Sequence, residues 1–399
     1  MTETKLPLAG VRVLEFGTLI AGPFCARILA EFGAEVIKVE SPNGGDPLRK
    51  WRKLYQGTSL WWYLQSRNKR SLTLNLKHPE ARAIALELAA AADIVVENFR
   101  PGVMEKLGLG WPVLSQRNPG LVMVRLSGFG QTGPQRDQPG FGAIGESMGG
   151  LRHITGYPDR PPVKTGISIG DSIAALWAAL GAMMALRHRE VAGGPGQVVD
   201  VALYEAVFAM MESLVPEFDM FGFVRERTGN VMPGITPSNT HTTVDGRHVI
   251  VGGNGDAIFR RLMTAIGRAD LAEDPALADN AGRDGRAAEL YAAIDDWVGC
   301  HDLDTVLARL REAEVPSAQT YSVEDMVRDP QYLARGMIEQ MRLPDGRQVA
   351  MPGTVPRMSA TPGGTRWPGP ALGEHTDEIL QELGRDAAAI AALRAEGAV

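Results

Sequence analysis

One aspartate stands out at the start of a long apolar helical pattern in the middle of the chain. Asp171 follows Gly170 within residues 166–189, GISIGDSIAALWAALGAMMALRHR, and apolar side chains recur after it at helical spacing. Aspartate is a preferred N-cap, so a purely structural role at the helix start is one interpretation. The other interpretation is chemical, because a carboxylate beside a helix N-terminus is electrostatically supported and can act as a nucleophile.

A second stretch that could take part in chemistry is the run Gly252-Gly253-Asn254-Gly255-Asp256, which follows a hairpin pattern around Asp245-Gly246. Glycines mark turns in many proteins, so the run also fits a hairpin end before a helix. The functional alternative is a mobile flap of bare backbone over a reactive centre. The seven histidines show no metal-binding spacing, so we predict no metal. A Ser/His/Asp triad stays open on composition, although no G-x-S-x-G elbow occurs.

The elements that must position these residues alternate between strands and helices over the first 130 residues. Repeated βα units of this kind indicate an α/β protein with a mostly parallel, doubly wound sheet. The turn after the first strand has no G-x-G-x-x-G, and the chain has no P-loop, so a nicotinamide enzyme is disfavoured. Strands are predicted at 11–14, 34–39, 71–76, 94–96 and 121–126.

Ligands of such sheets lie beyond the carboxyl ends of the strands. This rule singles out the segments 17–22, 40–46, 97–102 and 127–133 as the place for a site. Basic residues cluster near two of these strand ends, where they are either a solvated face or ligands of a phosphate group. The cluster consists of Arg49, Lys50, Arg52, Lys53, Arg67, Lys69, Arg70 and Lys77.

The 399 residues predict two domains, since a single core rarely grows to that length. The large domain is placed at 1–215 and is completed by the C-terminal return at 330–399. A linker is placed at 216–235 and a smaller α+β domain at 236–325. The proline-rich stretch after residue 327 looks irregular until a final helical segment at 376–396.

Composition restricts the partners. The net charge of -6 and the mixture of 44% hydrophobic and 22% charged residues disfavour a nucleic acid or an anionic membrane as partner. Cys25 and Cys300 lie far apart in the sequence, so reduced thiols and a cytoplasmic location are expected. No secretory signal is recognised, and no apolar run is expected to reach membrane-spanning length.

The chain resembles the class III CoA-transferases, the CaiB/BaiF family, over nearly its whole length. The resemblance rests on many ordered motifs, which makes it specific at the level of the family. The motifs include GDPLR at 45–49, NKRSLTLNLK at 68–77, VENFRPG at 96–102, GDSIAA at 170–175, DPQYLARGM at 329–337 and LGEHTDEIL at 372–380.

The resemblance implies a Rossmann-like large domain, a smaller domain and an interlocked homodimer. It also implies that Asp171 forms an aspartyl anhydride and then an aspartyl-CoA thioester, while residues 252–255 form the loop that keeps water away. The segment 233–241 looks like members that use succinyl-CoA and small dicarboxylic acids, with citramalate, itaconate, malate or a sulfinate analogue as candidates. Arg52, Arg152 and Arg227 are equal candidates for binding the distal carboxylate of such an acid.

Contacts with CoA carry over from the family position by position. Ile20, Ser41 and Gly142 depart from the formyl-CoA transferase pattern of glutamine, arginine and glutamate, which disfavours formyl transfer. The resemblance assigns CoA binding to Ala21, Leu74, Lys77, Asn98, Phe99, Lys106 and Leu203, and the acyl pocket to Phe129, Phe141 and Met148.

Two other functions are alternatives to CoA transfer. A 2-methylacyl-CoA racemase of the same fold needs a histidine in a G-H-D motif, and this chain has Gly140-Phe141-Gly142 there. Two-base racemisation would therefore lack one of its bases. A non-catalytic acyl-CoA binding protein is the alternative from another class. The presence of Asp171 and of the glycine-rich run favours an enzyme over this alternative.

Overall fold

Strands and helices alternate along the first 200 residues. A computed structural model describes residues 5–399 of the chain, which there form a mixed α/β protein with a parallel central sheet. The predicted α/β class is therefore confirmed. In chain order the strands are β1 (Arg12–Glu15), β2 (Glu35–Glu40), β3 (Leu54–Tyr55), β4 (Thr58–Ser59), β5 (Lys69–Thr73), β6 (Ile94–Glu97), β7 (Val122–Ser127), β8 (Val198–Ala202), β9 (Ser238–Thr242), β10 (His248–Gly252), β11 (Ser317–Gln319), β12 (Ile338–Arg342) and β13 (Gln348–Pro352).

The helices vary in length from single turns to the 24-residue helix that contains Asp171. Two 3₁₀ turns lie at Pro47–Lys50 and Pro275–Leu277. In chain order the α-helices are α1 (Ala21–Glu31), α2 (Leu60–Gln65), α3 (Pro79–Ala90), α4 (Val103–Lys106), α5 (Trp111–Arg117), α6 (Gly142–Met148), α7 (Ile169–Ala192), α8 (Leu203–Phe208), α9 (Leu214–Phe221), α10 (Asp256–Ala265), α11 (Ala269–Ala272), α12 (Asn280–Gly285), α13 (Ala287–Gly299), α14 (Leu303–Glu312), α15 (Val323–Met326), α16 (Pro330–Ala334), α17 (Thr376–Glu382) and α18 (Ala387–Ala395).

The central sheet has six parallel strands in the order β5-β2-β1-β6-β7-β8. The chain first builds outward from β1 through β2 and β5, and then returns to the other side of β1 at β6. The carboxyl ends of β1 and β6 therefore flank the switch point where doubly wound sheets bind ligands. Gly17 and Asn98 follow these two strands and lie against each other there, because a Cβ on Gly17 would be 3.2 Å from Asn98 Oδ1.

Side chains of the central strands alternate between two buried clusters. Val13 and Val36 belong to the cluster that includes residues of α1 and α7. Leu14 and Leu72 belong to the cluster that includes residues of α3 and α17. Such alternation is typical of strands in a sheet that is packed against helices on both faces. The two clusters hold the strand ends in place, and with them the turns that follow.

α7 packs its small side chains into the core and exposes its large ones. Ala174, Ala175 and Ala178 are fully buried in the cluster with α1, whereas Leu176 and Met184 are more than half exposed. By length and composition α7 could cross a membrane, contrary to the expectation from the sequence. Its alanine face packs on α1 and β7, so it is a core helix of the sheet domain.

Contacts along the chain define two units. The first contains residues 5–151, 164–223 and 334–399, and the second contains 152–163 and 224–333. The segment 152–163 groups with the second unit, whereas the sequence pattern predicted it within the large domain at 1–215. The central sheet and Asp171 belong to the first unit.

The second unit is built on a three-stranded sheet in the order β11-β10-β9. β9 and β10 form an antiparallel hairpin around Asp245-Gly246, and this prediction is confirmed. Val249, Phe259 and Leu290 belong to its buried cluster, to which α10, α13 and α14 contribute. The glycine-rich run joins β10 to α10.

Some elements differ from the predictions. β12 and β13 form an antiparallel hairpin in the stretch that looked irregular, and α2 lies where no helix was predicted. The final helical segment is interrupted at Gly384, which has a φ of 82° and separates α17 from α18. β5 begins at Lys69, two residues before the predicted strand. Prolines and glycines around the β12–β13 hairpin obscured its strand pattern.

Candidate active site

α7 begins two residues before Asp171. Ser168 is the N-cap, and Asp171 lies in the first turn of the helix. The backbone carbonyl of Ser168 accepts hydrogen bonds from the N–H and the hydroxyl of Ser172 at 3.2 and 3.0 Å. Asp171 is therefore not the N-cap, and that structural interpretation is wrong. Its carboxylate instead lines a cavity of the first unit.

Two glycines allow α6 to approach the start of α7 closely. A Cβ on Gly142, the first residue of α6, would overlap the Asp171 carboxylate and would lie 2.8 Å from its Cγ. A Cβ on Gly170 would lie 3.0 Å from the Gly142 carbonyl oxygen and from Glu146 Cγ. A larger residue at either position would require a shift of one helix. Position 142 thus admits no side chain while Asp171 holds its present position.

A second carboxylate lies beside Asp171. Glu146, one turn further along α6, is 1% exposed, and its Oε1 accepts a long hydrogen bond from the Gly170 N–H at 3.4 Å. Burial and the negative charge of Glu146 raise the pKa of Asp171 to about 6, while the positive charge of Lys164 acts in the opposite direction. Asp171 is therefore ionised at neutral pH and more basic than an ordinary aspartate, which favours nucleophilic attack.

The cavity beside Asp171 has a volume of about 490 Å³ and lies at the carboxyl end of the central sheet. Its wall includes the turns after β1, β6 and β7 and residues of α6 and α7. Phe129 and Met148 do not line it, since Phe129 lies beside Tyr204, with ring centroids 6.4 Å apart, and Met148 is exposed. Of the residues that the resemblance implicates, those lining the cavity with Asp171 are Ala21, Asn98, Phe99, Phe141 and Leu203.

Three charged residues that the sequence analysis did not assign to the site also line this cavity, namely Arg100, Glu146 and Lys164. Arg100 and Lys164 are exposed cations, and Lys164 precedes α7 in a segment without regular structure. No periodic pattern connects these positions to Asp171. Among the described residues, no three His, Cys, Asp or Glu side chains are grouped so that they could hold a metal ion.

None of the three arginines considered for a distal carboxylate lines the cavity. Arg52 stacks on Trp61, with its guanidinium carbon 4.5 Å from the ring centroid. Arg227 donates a hydrogen bond to the His153 carbonyl oxygen at 2.9 Å, and both residues belong to the second unit. Arg152 belongs to the second unit as well.

Asn98 fixes the turn between β1 and α1. Its Oδ1 accepts a hydrogen bond from the Thr18 N–H at 2.7 Å, and its Nδ2 donates to the Thr18 carbonyl oxygen at 2.9 Å. The next residue, Leu19, has a φ of 64°, and its N–H donates to the Asp46 carboxylate at 3.1 Å. These bonds hold a strained backbone in the wall of the cavity, just before Ala21 begins α1.

A second cavity of about 300 Å³ follows the ends of β1, β2 and β5. Leu74 and Lys77, which the resemblance assigns to adenine and phosphate, line it together with Ser41. Phe99 lines both cavities. Lys106 lines neither and is exposed at the end of α4. The two cavities share residues of the β1 and β6 turns, which matches a long ligand at the switch point of the sheet.

A cluster of buried charges supports the second cavity. Lys38 Nζ lies 2.8 Å from Glu15 and 2.9 Å from Asp46, and Lys69 Nζ lies 2.7 Å from the other oxygen of Glu15. These four side chains are almost completely buried, and Arg67 is fully buried as well. The interpretation of the basic residues as a solvated face or as phosphate ligands is therefore wrong for Lys69 and Arg67, and also for Arg49, which is buried and paired with Glu40 at 2.8 Å. Lys38 and Asp46 also line the second cavity.

The glycine-rich run lies in the second unit and is hydrogen-bonded within it. The N–H groups of Gly252 and Gly253 donate to backbone carbonyls of this unit at 2.9 and 2.8 Å. The Asn254 carbonyl accepts from the buried Arg283 at 2.8 Å, and Gly255 is the N-cap of α10. The run is thus a hairpin end before a helix, and its closure over reaction intermediates stays a prediction.

Known proteins match this chain over nearly its whole length. The profile of CoA-transferase family III matches residues 8–376. A succinyl-CoA–D-citramalate CoA-transferase from Chloroflexus aurantiacus is 51% identical over 378 residues, 94% of each chain. A succinate–glutarate CoA-transferase from Agrobacterium fabrum is 35% identical over 96% of this chain and 97% of its own length. The crystal structure of a CAIB/BAIF family protein from Brucella suis has a TM-score of 0.84 at 33% identity and covers 95% of this chain and 100% of that chain. The chain therefore belongs to CoA-transferase family III, the CaiB/BaiF family, and is an enzyme whose substrates are CoA thioesters.

Proposed function

We propose that the enzyme transfers CoA from succinyl-CoA to a small dicarboxylic acid through covalent intermediates on Asp171. The Asp171 carboxylate attacks the thioester carbonyl and expels the CoA thiolate, which gives a mixed anhydride. The thiolate then attacks the Asp171 acyl carbon, which releases succinate and leaves an aspartyl-CoA thioester. The acceptor carboxylate repeats these steps in reverse order, so that CoA leaves on the new acid and Asp171 is regenerated.

One observation carries this proposal: the Asp171 carboxylate lies in the same cavity as the residues assigned to CoA. The pKa of this carboxyl, raised to about 6, makes Asp171 basic enough to attack and still ionised at pH 7. Because residue 142 is glycine, no side chain at this position overlaps the Asp171 carboxylate. A positioned carboxylate reacts at a high effective concentration, which offsets its weakness as a nucleophile.

Two features support a dicarboxylic substrate. The relatives from Chloroflexus aurantiacus and Agrobacterium fabrum are named for citramalate, succinate and glutarate, which all carry two carboxylates. Lys164 and Arg100 line the cavity of Asp171 and can attract the carboxylate that does not react. We propose that Lys164 binds this distal carboxylate, because its charge also acts on Asp171.

A transfer assay with succinyl-CoA tests this function. D-citramalate and glutarate are expected to accept CoA, whereas monocarboxylic acids of the same length are expected to react at least tenfold more slowly. Lys164→Met is expected to raise the KM for the dicarboxylic acid about tenfold, because it removes one charge-assisted contact. Lys164→Arg keeps the positive charge and should bring the KM part of the way back. Faster transfer to the monocarboxylic acids would contradict the dicarboxylate proposal.

Racemisation of a 2-methylacyl-CoA is the second function to test. Phe141 stands where the racemase motif has histidine, and no histidine lines the cavity of Asp171. We therefore expect no deuterium at the α-carbon when a 2-methylacyl-CoA is incubated with the enzyme in D₂O. Exchange at that carbon would support the racemase instead. Thioester binding without any transfer to the acids tested would support a non-catalytic acyl-CoA binding protein.

We also propose that the enzyme acts as the interlocked homodimer implied by its family, in the cytoplasm. The exposed face of α7 supports a partner, because Leu176, Trp177, Leu180 and Met184 form an apolar stripe of the kind that subunit interfaces cover. Leu180→Glu is expected to shift the protein toward monomer in light scattering. An unchanged mass of two chains would show that this face is not part of the interface.

A further inference from the structure

Glu146 forms no bond to the substrate in the CoA transfer described above, yet it is the most deeply buried charged residue lining the Asp171 cavity. It lies on α6, one turn after Gly142, and is 1% exposed. Its Oε1 accepts a hydrogen bond from the N–H of Gly170, which is the residue directly before the nucleophile Asp171. Gly170 packs tightly on the Glu146 side chain, since a Cβ added to Gly170 would lie only 3.0 Å from Glu146 Cγ. This packing fixes the Glu146 side chain beside the start of α7.

We propose that Glu146 is a positioning residue whose negative charge favours acylation of Asp171. This inference rests on the proposed function, because it requires the aspartyl-CoA intermediate. Two carboxylates in a partly buried site repel each other more strongly than in water. Acylation converts the Asp171 carboxylate into a neutral thioester and removes this repulsion. The buried Glu146 therefore raises the free energy of the unreacted enzyme relative to that of the intermediate.

Three charged groups line the cavity around Asp171. Glu146 faces it from α6, Lys164 from the segment before α7 and Arg100 from the turn after β6. Lys164 attracts the Asp171 carboxylate and opposes the effect of Glu146. Lys164 and Arg100 are exposed, so water and salt screen their charges more strongly than the charge of Glu146, which is 1% exposed. The interaction with Glu146 accordingly outweighs the opposing ones.

The chemical step can be written as one balanced exchange. The Asp171 carboxylate and succinyl-CoA give the aspartyl-CoA thioester and succinate: the thioester bond to the succinyl carbon breaks, and a thioester bond to the Asp171 acyl carbon forms. The single negative charge moves from Asp171 to the released succinate, and no proton is consumed. Protonation of Asp171 removes the same charge from the same place. A neighbouring charge should therefore change the acylation equilibrium and the pKa of Asp171 by equal free energies.

Glu146→Gln tests this equality, because the amide keeps the shape and the oxygen acceptor but removes the charge. The enzyme is incubated with succinyl-CoA over a range of succinate concentrations, and the fraction of aspartyl-CoA enzyme is measured by intact mass spectrometry. The equilibrium constant for acylation of Asp171 is expected to fall about tenfold, and the acidic limb of the kcat/KM profile is expected to move about one pH unit lower. Both changes follow from the loss of one negative charge close to Asp171. Glu190→Gln, an exposed carboxylate near the far end of α7, is the matched control and should change neither value.

Glu146→Asp extends the test by keeping the charge and moving it away from Asp171. Both values are expected to lie between those of the wild type and Glu146→Gln, and they should change together. If Glu146→Gln does not fold, Glu146→Asp supplies the same paired comparison. An unchanged acylation constant, or a constant and a pH limb that change independently, would overturn the role of Glu146. A wild-type enzyme that forms no aspartyl-CoA would instead overturn the proposed function itself.

Discussion

Replacing Asp171 with asparagine is expected to abolish transfer and to stabilise the folded protein at neutral pH. Folding raises the pKa of this carboxyl from 3.8 to about 6, through burial and then through the charge of Glu146. A carboxyl whose pKa is raised on folding destabilises the folded state at every pH at which it is ionised in the unfolded chain. A rise of about two units corresponds to about 3 kcal/mol at 1.36 kcal/mol per unit, and partial exposure of Asp171 reduces this to roughly 2–3 kcal/mol.

The pH dependence of this gain follows from the two pKa values. Below about pH 3 Asp171 is neutral in both the folded and the unfolded chain, so the asparagine variant and the wild type should have equal stability. The gain in unfolding free energy should grow as the pH rises from about 3 to 6, reach about half of its full size near pH 5, and stay constant above pH 7. Urea unfolding of both proteins at pH 5, 6 and 7.5 measures it.

A matched control separates this effect from a general response to charge removal. Glu190→Gln removes an exposed carboxylate near the other end of the same helix and should change the unfolding free energy by less than about 0.5 kcal/mol. An Asp171→Asn variant that is no more stable than the wild type at pH 7.5 would refute the reasoning from burial and repulsion. A gain of equal size at pH 5 and pH 7.5 would refute its assignment to this carboxyl.

The structure gives three further predictions. Gly142→Ala should reduce kcat/KM at least 100-fold in the transfer assay, because the new Cβ would overlap the Asp171 carboxylate and displace it. Lys38→Met should lower the unfolding free energy by about 3–5 kcal/mol in urea, since it leaves the buried carboxylates of Glu15 and Asp46 without this partner. The wild-type kcat/KM should fall tenfold per unit below pH 6, where Asp171 becomes protonated, and a rate that stays constant to pH 5 would contradict the pKa assigned to it.

Features set by local pattern were predictable from the sequence. Strand alternation and helical spacing indicated the parallel sheet, and the turn at Asp245-Gly246 indicated the hairpin of the second unit. The position of Asp171 at the start of a helix was also visible, although not its place within the first turn. These features depend on residues close to one another in the chain, which is where sequence patterns are informative.

Features set by packing between distant segments were not predictable. Glu146 lies near Asp171 because Gly142 and Gly170 allow α6 to pack closely on α7. In the sequence the two helices are separated by a segment without strands, so no pattern connects them. The helical period of α7 predicted a helix but not its buried face, because alanines rather than Leu176 or Met184 pack on the sheet. Burial of Lys69 depends on pairing with Glu15, more than 50 residues away in the sequence. Side-chain direction in long loops, as for Phe129, has no period from which it could be read.

The most direct test of the account is to locate the covalent intermediate. The enzyme is incubated with succinyl-CoA without acceptor, quenched in acid and digested, and the peptide that contains Asp171 is fragmented in the mass spectrometer. We predict that this peptide gains the mass of CoA less one water, on Asp171 itself, and that addition of D-citramalate removes this added mass. Transfer activity that persists in Asp171→Asn, or an adduct confined to another residue, would contradict the central claim.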